Sequence, residues 1–116
     1  MIQYSDKYGA YAFETNNVVI CWDEKPGEDA EEIATRTADL YLKNIDNIAQ
    51  YILDEIQDTF EVSDINEVKE KISRPIINID NGQVTYCEQL FDDMHIFSFE
   101  YMDDEFQELE YFAIDG

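Results

Sequence analysis

The sequence predicts an α+β fold: a mostly antiparallel sheet of about six strands, ordered ββ-α-α-ββββ, with a long helix and a short helix packed on one face. Three observations carry this. Short runs rich in β-branched and aromatic residues, separated by turn signals, occupy both ends of the chain. A central stretch switches to helical spacing of its apolar residues. The 116 residues, 45% hydrophobic and 14% aromatic, are enough for one domain over 1–116 to bury a core without staples.

Taken in order, Tyr8 to Glu14 reads as a strand with Tyr11 and Phe13 on one face, and Asn16-Asn17 as a turn. Val18 to Trp22 is a second, β-branched strand, and Pro26-Gly27 turns the chain again. From Glu28 onward, Ile33, Thr37, Leu40, Tyr41, Ile45, Ile48, Ile52, Ile56 and Phe60 recur at helical spacing. Glu28, Asp29, Glu31 and Glu32 crowd the start, where negative charge complements the helix dipole. One helix reaching Phe60 would be about 50 Å long. A bend or break is therefore expected near Asn44 to Asn47, where Asn and Asp favour caps. Ser63 reads as the N-cap of a short helix, Asp64 to Ile72, which Pro75 terminates. Ile76 to Asp80 and Gln83 to Glu88 flank Asn81-Gly82, the signature of a type I′ hairpin. His95 to Tyr101 is a longer strand with His95, Phe97, Phe99 and Tyr101 on one face. Met102 to Gln107 forms an acidic loop, and Leu109 to Ile114 is the last strand.

Charge is the unusual quantity. There are 28 acidic residues against 7 basic ones, a formal net charge of −21. Such a surface repels nucleic acid and anionic membrane leaflets, and attracts basic proteins. Solubility alone and salt adaptation are the competing explanations; the Ile, Asn and Tyr content speaks against salt adaptation. No apolar run of about 18 residues marks a membrane span. The first residues lack the basic start and apolar stretch of a signal peptide, so a cytoplasmic location is expected. In that setting Cys21 and Cys87 read as reduced, buried thiols, with a disulfide open only if their strands are neighbours.

The search for chemistry is mostly negative. His95 is the one histidine and has no Cys or His companions at zinc-site spacing. A Cys87/His95 nucleophilic pair would need neighbouring strands. The four glycines form no phosphate loop. Asp103-Asp104-Glu105 lacks the alternation and central glycine of a calcium loop. The basic residues are scattered, so direct nucleic-acid binding is not expected. No catalytic site, metal or cofactor is expected. What remains is acid beside aromatic side chains: Asp92, Asp93, Asp103, Asp104 and Glu105, with Tyr101 and Phe106 as anchors, around the last hairpin. Glu24 and Asp29 belong to a second acidic stretch before the long helix. An acidic rim with an aromatic anchor suits a basic protein face, and the alternative for each stretch is a solvated surface.

The opening KYGAYAFE, the helix ATRTADLYLKNIDNIAQYILDEI, the hairpin PIINIDNGQVTY and the ending HIFSFEYMDDEFQELEYFAIDG resemble small bacterial domains of unknown function, some of which are similar to immunity proteins encoded beside secreted toxins. The resemblance spans most of the chain. It implies no catalytic residues. His95 and Gly116 match recurrent positions, whereas Met94 stands where a glycine often precedes that histidine. Together with the charge, the resemblance implies a cytoplasmic, acidic inhibitor of a basic toxin such as a nuclease. The alternative is a phage-type DNA mimic or anti-CRISPR protein.

Overall fold

The computed structural model describes residues 2–116 and is α+β. Its elements are β1 (Gln3–Ser5), β2 (Ala10–Thr15), β3 (Val18–Trp22), α1 (Ala30–Lys43), α2 (Ile45–Ile56), α3 (Ile65–Lys71), β4 (Ile76–Asn78), β5 (Gln83–Tyr86), β6 (Ile96–Tyr101) and β7 (Leu109–Asp115). The seven strands form one sheet in sequence order. Every neighbouring pair is antiparallel except β3 and β4, which run parallel with Ile20 opposite Ile77. A parallel pair needs a crossover, and the three helices supply it.

Local chemistry explains most of the elements. Asn16 and Asn17 both take positive φ, 51° and 64°, so β2 and β3 join through a two-residue turn with Thr15 opposite Val18. β3 is buried along its whole length, as its unbroken apolar run requires at the centre of a sheet. The helical stretch breaks at Asn44, whose amide donates to Leu40 O while its side-chain Nδ2 donates to the same carbonyl at 2.8 Å. The N-cap of α3 is Asp64 and not Ser63. Asp64 Oδ1 accepts from Glu67 N at 3.0 Å, and Glu67 Oε1 accepts from Ser63 N at 2.8 Å.

Three further expectations need correction. A seventh strand, β1, pairs with β2; its three residues are too few for alternation to show in the sequence. The β4–β5 connection is a four-residue loop, closed by Gly82 N donating to Asn78 O at 2.9 Å, and not a type I′ turn. Asn78 Oδ1 captures the amides of Asp80 and Asn81, which leaves Gly82 alone at positive φ. Finally, Cys87 is exposed just after β5 while Cys21 is buried in β3; β4 lies between the two strands, and both thiols are free.

The main core lies between the sheet and the helices. Trp22, Tyr41, Tyr86, Phe97, Phe99 and Phe106 meet Ile48, Ile52 and Ile56 there. The deepest line of α1 is made of alanines, Ala30, Ala34 and Ala38, which let the helix approach the sheet closely. Its larger residues Ile33, Thr37 and Leu40 are only half-buried. On the opposite face a small cluster of Ala10, Val19 and Cys21 is packed by Tyr8, Ala12 and Ile76.

Candidate functional site

Strand direction gathers the acidic loops. β3 and β4 are parallel, and β6 follows β4 through two antiparallel pairings, so all three strands end on the same side of the sheet. The segments that leave them, residues 23–29, 79–82 and 102–108, therefore share one end of the molecule. Side-chain hydrogen bonds tie them together. Asp80 Oδ2 accepts from Asp23 N at 2.7 Å and from Glu24 N at 3.3 Å, and Asn78 Nδ2 donates to Asp23 Oδ1 at 2.9 Å. Tyr101 N donates to Gly82 O at 3.0 Å. A Cβ at Gly82 would lie 3.3 Å from Tyr101 O, so this close approach and the positive φ of 67° both favour glycine.

The 102–108 loop is a built structure. Asp103 Oδ1 accepts from the amides of Gln107 and Glu108, and Met102 N donates to Glu108 O. Asn47 Nδ2 donates to Phe106 O at 2.9 Å, and Gln107 Nε2 donates to Asn44 Oδ1 at 2.6 Å, which seats the loop on the α1–α2 break. Phe106 is fully buried, edge-on to Tyr41 and 4.6 Å from the Tyr101 ring. Its φ of 57° is a left-handed conformation that costs a bulky residue about 1–3 kcal/mol. Packing on two tyrosines and the Asn47 hydrogen bond hold it there.

Within this end the carboxylates divide by role. Asp23, Asp80 and Asp103 accept hydrogen bonds that shape the loops. Among the described residues, the side chains of Glu24, Glu28, Asp29, Glu32, Asp104 and Glu105 make no hydrogen bond or ion pair, and all are exposed. Glu100 and Glu110 stand directly opposite each other across β6 and β7, a like-charge pairing that destabilises a sheet.

The candidate residues named from sequence are thus rearranged. Glu24 and Asp29 join Tyr101, Asp103, Asp104 and Glu105 at one end, although sequence reading kept them as separate stretches. Asp92 and Asp93 leave the group: they precede β6, whose six residues set them about 20 Å from its far end. Phe106 is a core residue and not an exposed anchor. Its expected role failed because adjacency to acids in sequence does not imply exposure. Tyr101 remains half-open, and burial together with Asp104 pushes its hydroxyl up to about 12.

A cleft of about 260 Å³ opens at this end between α1, the 79–82 loop and the 102–108 loop. Ile33, Thr37, Leu40, Ile79 and Tyr101 form its walls, with Arg36 and Asp104 among the lining. Sequence reading missed Arg36, Ile33 and Ile79 as neighbours of the acidic loop. The half-buried apolar residues on α1 were the available signal. A wider hollow of about 460 Å³ lies beside the 23–29 loop, lined by Tyr11, Lys25, Pro26 and Glu28 among others.

The opposite end is organised by Gln89 and Asp92. Gln89 is buried; its Oε1 accepts from Phe91 N, and its Nε2 donates to His95 O at 2.8 Å and to Asp92 Oδ1 at 2.9 Å. Asp92 also accepts from the amides of Met94 and His95, and its Oδ2 lies 2.6 Å from His95 Nδ1. Hydrogen bonds from Gln89 and His95 hold the Asp92 carboxyl well below the usual carboxylate range. Cys87 lines a different cleft, with Thr85 and Gln83 on the face away from the helices, and no hydrogen bond joins it to His95 among the described residues. Among the described residues no group of three His, Cys, Asp or Glu side chains is placed to hold a metal ion, and no helix is long and apolar enough to cross a membrane.

Compared with protein-family models, with curated proteins and with solved structures, the chain matches none.

Proposed function

We propose that this is an acidic protein-binding inhibitor of the immunity type, which neutralises a basic toxin such as a nuclease in the cytoplasm. The observation that carries this reading is the set of unengaged carboxylates from the 23–32 and 102–108 segments, gathered at one end on loops that side-chain hydrogen bonds hold in place. Rigid loops lose little entropy on binding, so more of their contact energy appears as affinity. The Glu100–Glu110 pairing supports the same reading, because it keeps a charge arrangement that costs the sheet stability. A nuclease must present a positive surface to hold nucleic acid, and an acidic end can occupy that surface.

Carboxylates gathered from separate loops at one end suit a plug better than a DNA mimic, whose charges must be strung like phosphates along an elongated face. The experiment is copurification with, and inhibition of, the product of the neighbouring gene. Association is expected to slow by roughly 10-fold or more between low and physiological salt, and on reversing Asp104 and Glu105 to lysine. A complex whose association rate ignores both changes overturns the electrostatic mechanism.

A further inference from the structure

We propose that the cleft between α1 and the 102–108 loop is an anchor slot for one aromatic side chain, presented by the basic partner and flanked there by lysine or arginine. The inference rests on the proposed protein-binding function and adds where the partner is gripped and by what.

The slot's size favours a side chain over a metabolite. At about 260 Å³ it lies below the roughly 300–1,000 Å³ of small-molecule sites. Half of its lining is apolar: Ile33, Leu40, Ile79 and the Tyr101 ring, all half-buried, with Thr37, Arg36 and Asp104 beside them. α1 closes the core with its alanines and Tyr41, and leaves Ile33 and Leu40 half-buried along this gap. One wall is already fixed, since Phe106 packs 4.6 Å from Tyr101.

Charge selects the occupant. Arg36 lines the slot and, among the described residues, forms no ion pair. A guanidinium there opposes an inserted lysine or arginine but is attracted to the face of an aromatic ring, tryptophan most strongly. Asp104 at the slot and Glu105 beside it then favour cations on either side of that ring. An apolar anchor seated in a cleft with complementary charge around it is how a few residues come to dominate binding energy.

The test uses two short lysine- and arginine-rich peptides, one with a central tryptophan and one with alanine in its place. Each is titrated at low salt into the isotope-labelled full chain, followed by amide NMR shifts. The tryptophan peptide is expected to bind at least about 10-fold more tightly, with its shifts centred on Thr37, Ile79 and Tyr101. Thr37→Phe, which fills the slot and gives up only a hydroxyl bonded to its own helix at Ile33 O, is expected to abolish the difference. Arg36→Gln, on the exposed side of α1, is expected to reduce it and keeps the test open if Thr37→Phe does not fold. Equal, salt-sensitive binding of both peptides overturns the slot and leaves acidic docking standing. Binding of neither overturns both.

Discussion

The two ends of the sheet use carboxylates in opposite ways. At the end where β3, β4 and β6 finish, a few acids shape the loops, and among the described residues Glu24, Glu28, Asp29, Glu32, Asp104 and Glu105 are held without partners. At the other end Asp92 accepts four hydrogen bonds, Glu67 caps α3 and pairs with Lys71, and Glu14 and Glu88 share Arg74. That end also carries exposed acids such as Asp93, but its cations Lys71 and Arg74 are engaged. Lys71 O also accepts from Leu90 N, which docks the 87–95 loop on α3. Net charge therefore says little about what a given acid does. The distinction lies in whether a donor has been built beside it.

The sharpest way to break this contrast is at Phe106. Phe106→Ala should destabilise the fold by about 3–5 kcal/mol in urea unfolding, since it empties a buried site between Tyr41 and Tyr101. Amide exchange should rise across 102–108 while the 87–95 loop keeps its protection; equal loss at both ends would show that the two loops are not independent.

In the main core Tyr41 and Tyr86 share a buried hydroxyl–hydroxyl hydrogen bond of 2.6 Å. Tyr86→Phe should cost about 1–3 kcal/mol by leaving the Tyr41 hydroxyl unpaired, and the double phenylalanine variant should recover much of that loss. Burial pushes both hydroxyls above their ordinary range. Because the folded values are raised, this stabilisation is complete below the unfolded value of about 10 and is lost as pH climbs through the folded ones. Unfolding midpoints of the wild type should fall above about pH 10, and those of the double variant less steeply.

At the far end the sign reverses. Asp92 has a depressed folded value, so its contribution is present above the unfolded value of about 4 and fades as pH drops below it. Asp92→Asn should lower the unfolding midpoint at neutral pH, and the gap to wild type should narrow in acid. Asp104→Asn with Glu105→Gln should instead leave the midpoint unchanged or raise it, since among the described residues neither side chain makes a hydrogen bond or ion pair to lose. A small gain is expected at the β7 bulge, where Phe99 faces both Tyr111 and Phe112. Tyr111 sits at φ 62° with its side chain exposed, and Phe112 N donates to Tyr51 Oη at 3.1 Å. Tyr111→Gly should stabilise by about 1 kcal/mol, read from the same unfolding curves.

Period and turn chemistry made much of the fold legible. The alternation in β2 and β6, the Asn16–Asn17 turn and the break at Asn44 all follow from local preferences. The site was legible only in pieces. That Asp92 and Asp103 stand at opposite ends follows from the length of the strand between them, a signal present in the sequence but not applied to the patch. The meeting of the 23–29 and 79–82 loops depends on the parallel pairing of β3 with β4 across three helices, which no local pattern encodes. Phe106 misled for a related reason: two of the groups that hold it, Tyr41 and Asn47, are distant in sequence.

Trp22 is the chain's one tryptophan, and it is nearly enclosed at the last position of β3. The next amide, Asp23 N, is the one that Asp80 holds. Its indole therefore sits where the core passes into the acidic end. The molecule consequently carries an intrinsic optical reporter at that junction: a red shift in its emission would register loosening of the 23–29 and 79–82 loops without a label, and a partner seated on that end would be visible in the same light.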